Sequence, residues 1–233
     1  MLTLHGEVAR TIADRIGAEL EPEESLRLAT ERPVDPAAYD QYVKGLALFS
    51  RNDPDSCLRA VEHFELAIEI DPDFTSPYAA RSLAYSWAHK GQITDLVRER
   101  GLSYARQAIE RDEELAEAHV AMALVHKREW DWAASEREFR RALELNPNSA
   151  FAHAFYAQLL RELGRLDEAL REAELAATLD PRDLQKRTMV EWVHFSAHRY
   201  DEAIERFRAV LDLEPDYVLA VYNMGLARTL LGR

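Results

Sequence analysis

The chain is poor in the residues that carry most site chemistry. It has one cysteine, Cys57, in 233 residues, which excludes an intrachain disulfide and a cysteine-based metal site. Basic residues are in deficit: 29 Lys and Arg stand against 42 Asp and Glu, a net charge of −13. That balance argues against a nucleic-acid backbone or an anionic membrane surface as a direct partner, and permits a basic one without requiring it. No apolar run approaches the roughly 20 residues that span a bilayer. The opening Met1–Glu7 has neither the basic start nor the apolar stretch of a signal peptide, so a cytoplasmic chain, or the cytoplasmic piece of a longer one, is expected. A glycine-rich phosphate loop, a Gly-x-Ser-x-Gly elbow and a paired-carboxylate cleft are all missing, so no catalytic residue, cofactor or enzyme activity is expected. Only 8 Gly and 9 Pro interrupt the chain, leaving room for long helices and short connections.

What the sequence does have is a period. Pro147, Pro181 and Pro215 are spaced by 34 residues, and each closes a similar phrase: Leu145-Asn146-Pro147, Leu179-Asp180-Pro181, Leu213-Glu214-Pro215. Ala169 and Ala203 share the spacing, within Leu166–Leu170 and Tyr200–Ile204. A period in this range marks an array of helix pairs in which each unit buries its neighbour's face. The expected fold class is therefore all-α, a helix-turn-helix solenoid.

Residues 1–36 lie outside the period. Leu4, Val8, Ile12 and Ile16 make an i, i+4 stripe with Ala9 and Ala13 alongside, so an amphipathic helical extension is expected before the Arg32–Pro36 linker. The array then occupies 37–233, with repeats at about 37–74, 75–115, 116–149, 150–183 and 184–217 and a partial one at 218–233. Pro72 to Pro147 exceeds two periods by seven residues, and the surplus is placed as an insertion from Lys90 to about Arg100. Leu226, Leu230 and Leu231 suit an exposed cap poorly, which favours an array continuing beyond residue 233.

The columns of the repeat have a physical logic. Helices crossing closely need small side chains at the contact and large ones around it. Ala123, Ala157 and Gly225 form one small column, Ala169 and Ala203 a second, Ala142 and Ala176 a third; Met122, Tyr156, Val190 and Met224 are large, as are Phe139 and Phe207. Asp167 and Asp201 suit the N-cap and first turn of the second helices. These columns, with Tyr222-Asn223-Met224-Gly225 and Tyr200–Ile204 to Pro215, resemble the tetratricopeptide repeat. The resemblance covers residues 37–233. It implies a right-handed superhelix whose concave groove, lined by first helices, binds a protein or peptide partner. The subtype that clamps a C-terminal carboxylate pairs Lys and Asn on successive first helices; Asn223 has only Ala121, Phe155 and Met189 as counterparts, so that clamp is absent. The order Val8–Ala13, Leu20–Glu24, Ala38–Gly45 is similar to the junction before the repeats of bacterial signalling proteins such as adenylate cyclases, winged-helix regulators and kinases. The resemblance implies a sensing or scaffolding role without catalysis.

First-helix residues expected to face the groove are Leu83 and Trp87, Lys127 and Arg128, Gln158 and Arg161, Trp192 and Phe195, Tyr222 and Leu226. Aromatics and arginine are what interface hot spots use. Self-association, making the chain a possible homo-oligomer, and small-ligand or metal binding around Trp192, Phe195, His194 and Glu191 are the alternatives. His119 and His153 share a column, as do His126 and His194, so the histidines are expected as packing residues and no metal site is assigned. Glu191 occupies the small column of Ala157 and Gly225; exposure to water is expected for it, with pairing to His194 as the alternative.

Overall fold

The computed structural model describes residues 33–89, 94–181, 183–212 and 214–232. The expected N-terminal helix and the first part of the expected insertion lie outside these residues. The described residues form eleven α-helices and no strand, and the chain divides into two compact units, residues 1–112 and 113–233.

In the first unit the helices are α1 (Pro36–Phe49), α2 (Pro54–Ile70), α3 (Ser76–Ala88) and α4 (Asp95–Arg111). Asp35 starts α1: its carboxylate accepts from the Ala37 amide at 2.7 Å, with Pro36 at the first helical position, where a missing N–H costs nothing. Asp53 starts α2 in the same way, accepting from Ser56 N–H at 2.8 Å. The core gathers Leu48, Ala60, Val61, Phe64, Ala80, Ala84, Tyr85 and Val97. Arg81 is buried beside it, its guanidinium 4.0 Å from the centre of the Tyr104 ring and donating to Gln107 Oε1 at 2.8 Å.

The second unit holds α5 (Ala116–Arg128), α6 (Trp132–Leu145), α7 (Ala150–Glu162), α8 (Leu166–Leu179), α9 (Leu184–Ser196), α10 (Tyr200–Leu211) and α11 (Val218–Leu230). Here the turn between first and second helix repeats with the sequence. Trp130, Gly164, His198 and Gly232 all adopt positive φ, from 57° to 76°. The amide one residue further on reaches back to a carbonyl five residues earlier at the first three turns: Asp131 to His126, Arg165 to Leu160, Arg199 to His194. This left-handed closure satisfies carbonyls that the helix end orphans. Asp131 is a true N-cap, accepting from Ala134 N–H at 3.0 Å. The N-cap expectation for Asp167 and Asp201 is corrected: Arg165 and Arg199 hold the cap positions, and the two aspartates lie in the first turn, favoured there by the helix dipole rather than by a capping bond.

Helix starts show how the extra residues are accommodated. First helices open at 36, 76, 116, 150, 184 and 218, so both early spacings are 40 and the later ones 34. The surplus after Pro72 falls between the helix starts at 76 and 116, where α4 runs 17 residues against 14 for α6 and α8; α2, before Pro72, is 17 residues long as well. Residues 95–100, expected within an insertion, are the opening turns of α4.

Ala169, Ala173 and Ala176 are fully buried on α8, as are Ala203, Phe207 and Val210 on α10. An Ala169→Leu substitution has no free volume to enter and is expected to cost about 1–3 kcal/mol through overpacking. Thermal unfolding followed by circular dichroism checks this; an unchanged midpoint would remove Ala169 from the close helix contact.

Candidate protein-interaction surface

Three consecutive first helices of the second unit are linked by polar side chains near their C-terminal ends. The Lys127 ammonium on α5 is 2.9 Å from Glu162 on α7. Gln158, one turn before, donates its amide to the same carboxylate at 3.2 Å. Arg161 extends from α7 to α9, where it donates to Ser196 Oγ at 3.4 Å and stands 5.7 Å from the centre of the Trp192 ring. Trp192 meets Phe195 near edge-on, with ring centres 6.0 Å apart. Lys127, Arg128, Gln158, Arg161, Trp192 and Phe195 are all half-buried. Their apolar stems pack while their polar ends stay within reach of solvent, as long amphipathic side chains do. Lys127 and Arg161 stand 2.9 and 3.9 Å from the Glu162 carboxylate, and Arg161 links them to the Trp192 indole; such a group can take acidic side chains and backbone carbonyls, with flat apolar area beside them.

The other expected surface residues divide. Tyr222 and Leu226 are exposed on α11. Phe195 also leans on the core of Ala203, Phe207, Val210 and Ala220 and on the Tyr200 ring, so part of its area belongs to packing. Trp87 lies in the first unit, half-buried and edge-on to Phe49 at 5.8 Å. Leu83 is a buried residue of α3, not a surface one. Asn223 points inward at 1% exposure, both amide atoms buried without a hydrogen-bond partner among the described residues, so it cannot serve as a clamp asparagine.

Two expectations about polar residues are corrected. Glu191 is buried at 5% exposure rather than reaching water. It sits within the electrostatic reach of Tyr217, whose pKa is raised by burial first and then by the charges of Asp183, Glu214 and Glu191. His194, also buried, faces Glu202 on α10 at 3.1 Å. Burial, followed by the Arg206 charge, lowers its pKa. His198 turns away to the Tyr200 hydroxyl at 2.6 Å.

The second correction concerns the first histidine column, which does more than fill space. His119 Nδ1 is 2.7 Å from Glu138 Oε2, and Nε2 is 2.8 Å from the Glu113 carbonyl oxygen. One repeat later His153 makes the same pair of contacts, to Glu172 at 2.6 Å and the Pro147 carbonyl at 2.9 Å. Both ring nitrogens face acceptors, so only the imidazolium, with two N–H donors, satisfies the site. The pKa of His119 is raised, chiefly by the Glu138 hydrogen bond. Burial works against the charged form of His153, but Glu172 and the Pro147 carbonyl outweigh it and its pKa is raised too. A signal was present in the sequence: a glutamate follows each histidine by 19 residues.

Tetratricopeptide-repeat profiles match residues 138–171 and 192–233. Tetratricopeptide repeats are thus recognised in these two segments. Among curated proteins, the small glutamine-rich tetratricopeptide repeat-containing protein 2 of Mycosarcoma maydis is 30% identical over 118 residues, 50% of this chain and 33% of that protein. The chain thus spans about a third of that relative's length. Among solved structures, a thermophilic tetratricopeptide-repeat protein of Thermus thermophilus superposes with a TM-score of 0.68 at 16% identity, over 82% of this chain and 98% of that one. The YrrB protein, described as a tetratricopeptide-repeat protein with an unusual peptide-binding site, superposes at 0.52 with 23% identity, over 74% of this chain and 85% of that one. At such identities the structural likeness shows the fold alone: an all-α tetratricopeptide solenoid, a class of scaffold that acts in protein–protein interaction and is generally non-catalytic. Among the described residues, no helix is long and apolar enough to cross a membrane.

Proposed function

We propose that this chain is a non-catalytic interaction module that takes a peptide or protein segment across the first helices of residues 116–230. The observation that carries the reading is the Arg161–Trp192 contact, an arginine held half-buried over an indole between two first helices. Arginine and tryptophan are among the residue types most enriched at interface hot spots, and here Lys127 and Gln158 join Arg161 through Glu162 while Phe195 meets Trp192. The partner segment carries acidic side chains, which the cations of this strip complement within an otherwise acidic protein. The residue order of 8–45, similar to the junctions of bacterial signalling proteins, supports a cytoplasmic role as the regulatory part of a larger regulator.

The test is comparative capture from lysate of the source cell, with the chain against an Arg161→Ala/Trp192→Ala variant of unchanged thermal midpoint. A protein held by the first and lost by the second, with binding of its acidic segment weakened at least tenfold, is the expected result. Retention by both would move the binding face elsewhere.

A further inference from the structure

Two cations of the second unit approach one oxygen. Lys127 and Arg161 occupy the same repeat position, 34 residues apart, and their side chains are only 14% and 23% exposed. Glu162 Oε1 stands 2.9 Å from the Lys127 ammonium and 3.9 Å from the Arg161 guanidinium, and it accepts from the Gln158 amide at 3.2 Å. The repeat does not itself require an acid at this position. One period earlier it holds Arg128, one later Ser196 and two later Leu230. The Glu162 side chain is 29% exposed on the last residue of α7, and a change of rotamer returns its carboxylate to water.

Half-buried cations converging on a carboxylate are the arrangement that recognises an acidic side chain, and here the acid comes from the chain itself. A partner's carboxylate placed against the same donors must first displace Glu162. That exchange swaps one carboxylate for another at unchanged donors, so it gains little by itself. The surplus has to come from contacts that Glu162 does not make, and the rings of Trp192 and Phe195 beside Arg161 offer them. An acid alone is disfavoured and an acid next to an apolar side chain is favoured, which is selectivity by an opposing element. Resting on the acidic-partner reading above, we propose that Glu162 is a built-in stand-in for the partner's carboxylate. It fills the place between Lys127 and Arg161 that the partner's acid takes, and so determines the affinity and selectivity of the strip.

Fluorescence anisotropy with a labelled peptide of glutamates around two phenylalanines tests this at about 0.1 M salt, where charges more than roughly 10 Å apart are screened. Glu162→Gln keeps the shape and one acceptor oxygen while removing the charge. It is expected to bind the peptide about fivefold more tightly than the unaltered chain, the scale of one ion pair at a protein surface. Glu117→Gln removes an equal charge from the first turn of α5, roughly 15 Å before Lys127, and should change the affinity by less than about twofold. Arg161→Ala should abolish the gain in the Glu162→Gln background. A mere staple between α5 and α7 behaves otherwise: its loss lowers the thermal midpoint and leaves the affinity unchanged or weaker. Glu162→Ala, with helical content followed by circular dichroism, repeats the measurement without the amide that glutamine introduces. If both Glu162 variants bind no more tightly than Glu117→Gln while Arg161→Ala still weakens binding, the stand-in is overturned and the acidic-partner reading stands. If Arg161→Ala leaves the affinity of the unaltered chain unchanged, or no form binds the peptide, that reading falls and this inference with it.

Discussion

Phe64→Ala is expected to lower the unfolding free energy by about 3–5 kcal/mol, the range for emptying a fully enclosed phenylalanine site. The ring has no exposed surface and lies between Tyr42, at 5.8 Å between ring centres, and the backbone of Gly45. Gly45 explains why α1 tolerates a residue that weakens a helix. A Cβ placed there would fall 2.4 Å from Phe64 Cε1 and 2.7 Å from Cδ1, well inside contact distance. Gly45→Ala should therefore cost about 1–3 kcal/mol by overpacking, despite the gain of nearly 1 kcal/mol that alanine brings to an exposed helix interior. The two substitutions are coupled. Removing the ring makes room for the methyl group, so Gly45→Ala in the Phe64→Ala background should be neutral or stabilising, and the double variant should lose less than the sum of the singles. Urea unfolding of the four proteins in the cycle measures this. Strict additivity would mean that the α1–α2 contact is not set by the glycine and the ring.

Small columns of this kind are why the fold was legible. A close helix crossing favours Ala, Gly or Ser, so the packing itself writes a period into the sequence, and Ala142, Ala169, Ala176 and Ala203 are all fully buried where that period places them. Turn geometry writes the same period less visibly, because Trp130 and His198 occupy the left-handed position that Gly164 marks openly. The two early pairs were harder. Their extra residues lengthen α2 and α4 by about a turn without disturbing the small columns, and an added helical turn looks like an insertion when only prolines are counted.

The interaction surface was legible as a set of candidates but not as an arrangement. Helical spacing places Lys127, Gln158, Arg161 and Trp192 on first helices; it does not say that Glu162 would hold two of them or that the guanidinium would lie over the indole. Glu191 was misjudged for a physical reason. A carboxylate in a small column is taken for an exposed one on statistical grounds, whereas burial depends on neighbours from two other elements, Tyr217 among them, that no spacing rule supplies. The histidines show the reverse case, where the column was seen and its chemistry was not.

That chemistry makes stability depend on pH with a defined sign. His119 and His153 have raised pKa values in the folded chain, so the native state holds their protons more tightly than the unfolded chain, where histidine titrates near 6.5. The contribution is fully present below that pH and is lost as pH rises through the folded values. Glu138, its pKa lowered chiefly by the hydrogen bond from His119, contributes above the ordinary carboxylate range, and its share is lost as pH falls through the folded value. The column therefore stabilises most between the two ranges, at about pH 5–6. His194 has the opposite sign: its lowered pKa makes the unfolded chain the better proton acceptor, so its share of stability rises as pH climbs from its folded value to the unfolded value near 6.5. The net slope mixes the two, and a variant separates them. His119→Phe/His153→Phe keeps the ring volume but removes four N–H donors. It leaves Glu138, Glu172 and two carbonyls without these donors and should lose about 2–4 kcal/mol at pH 5.5, at 1–2 kcal/mol per site for charged hydrogen bonds. The deficit relative to the unaltered chain should shrink as pH rises through the folded values, where the native histidines lose their protons as well. Denaturant unfolding at half-unit pH steps gives the curve. A deficit that stays constant with pH would mean that the column packs without ionising, and that the recurring glutamates contribute neutral hydrogen bonds only.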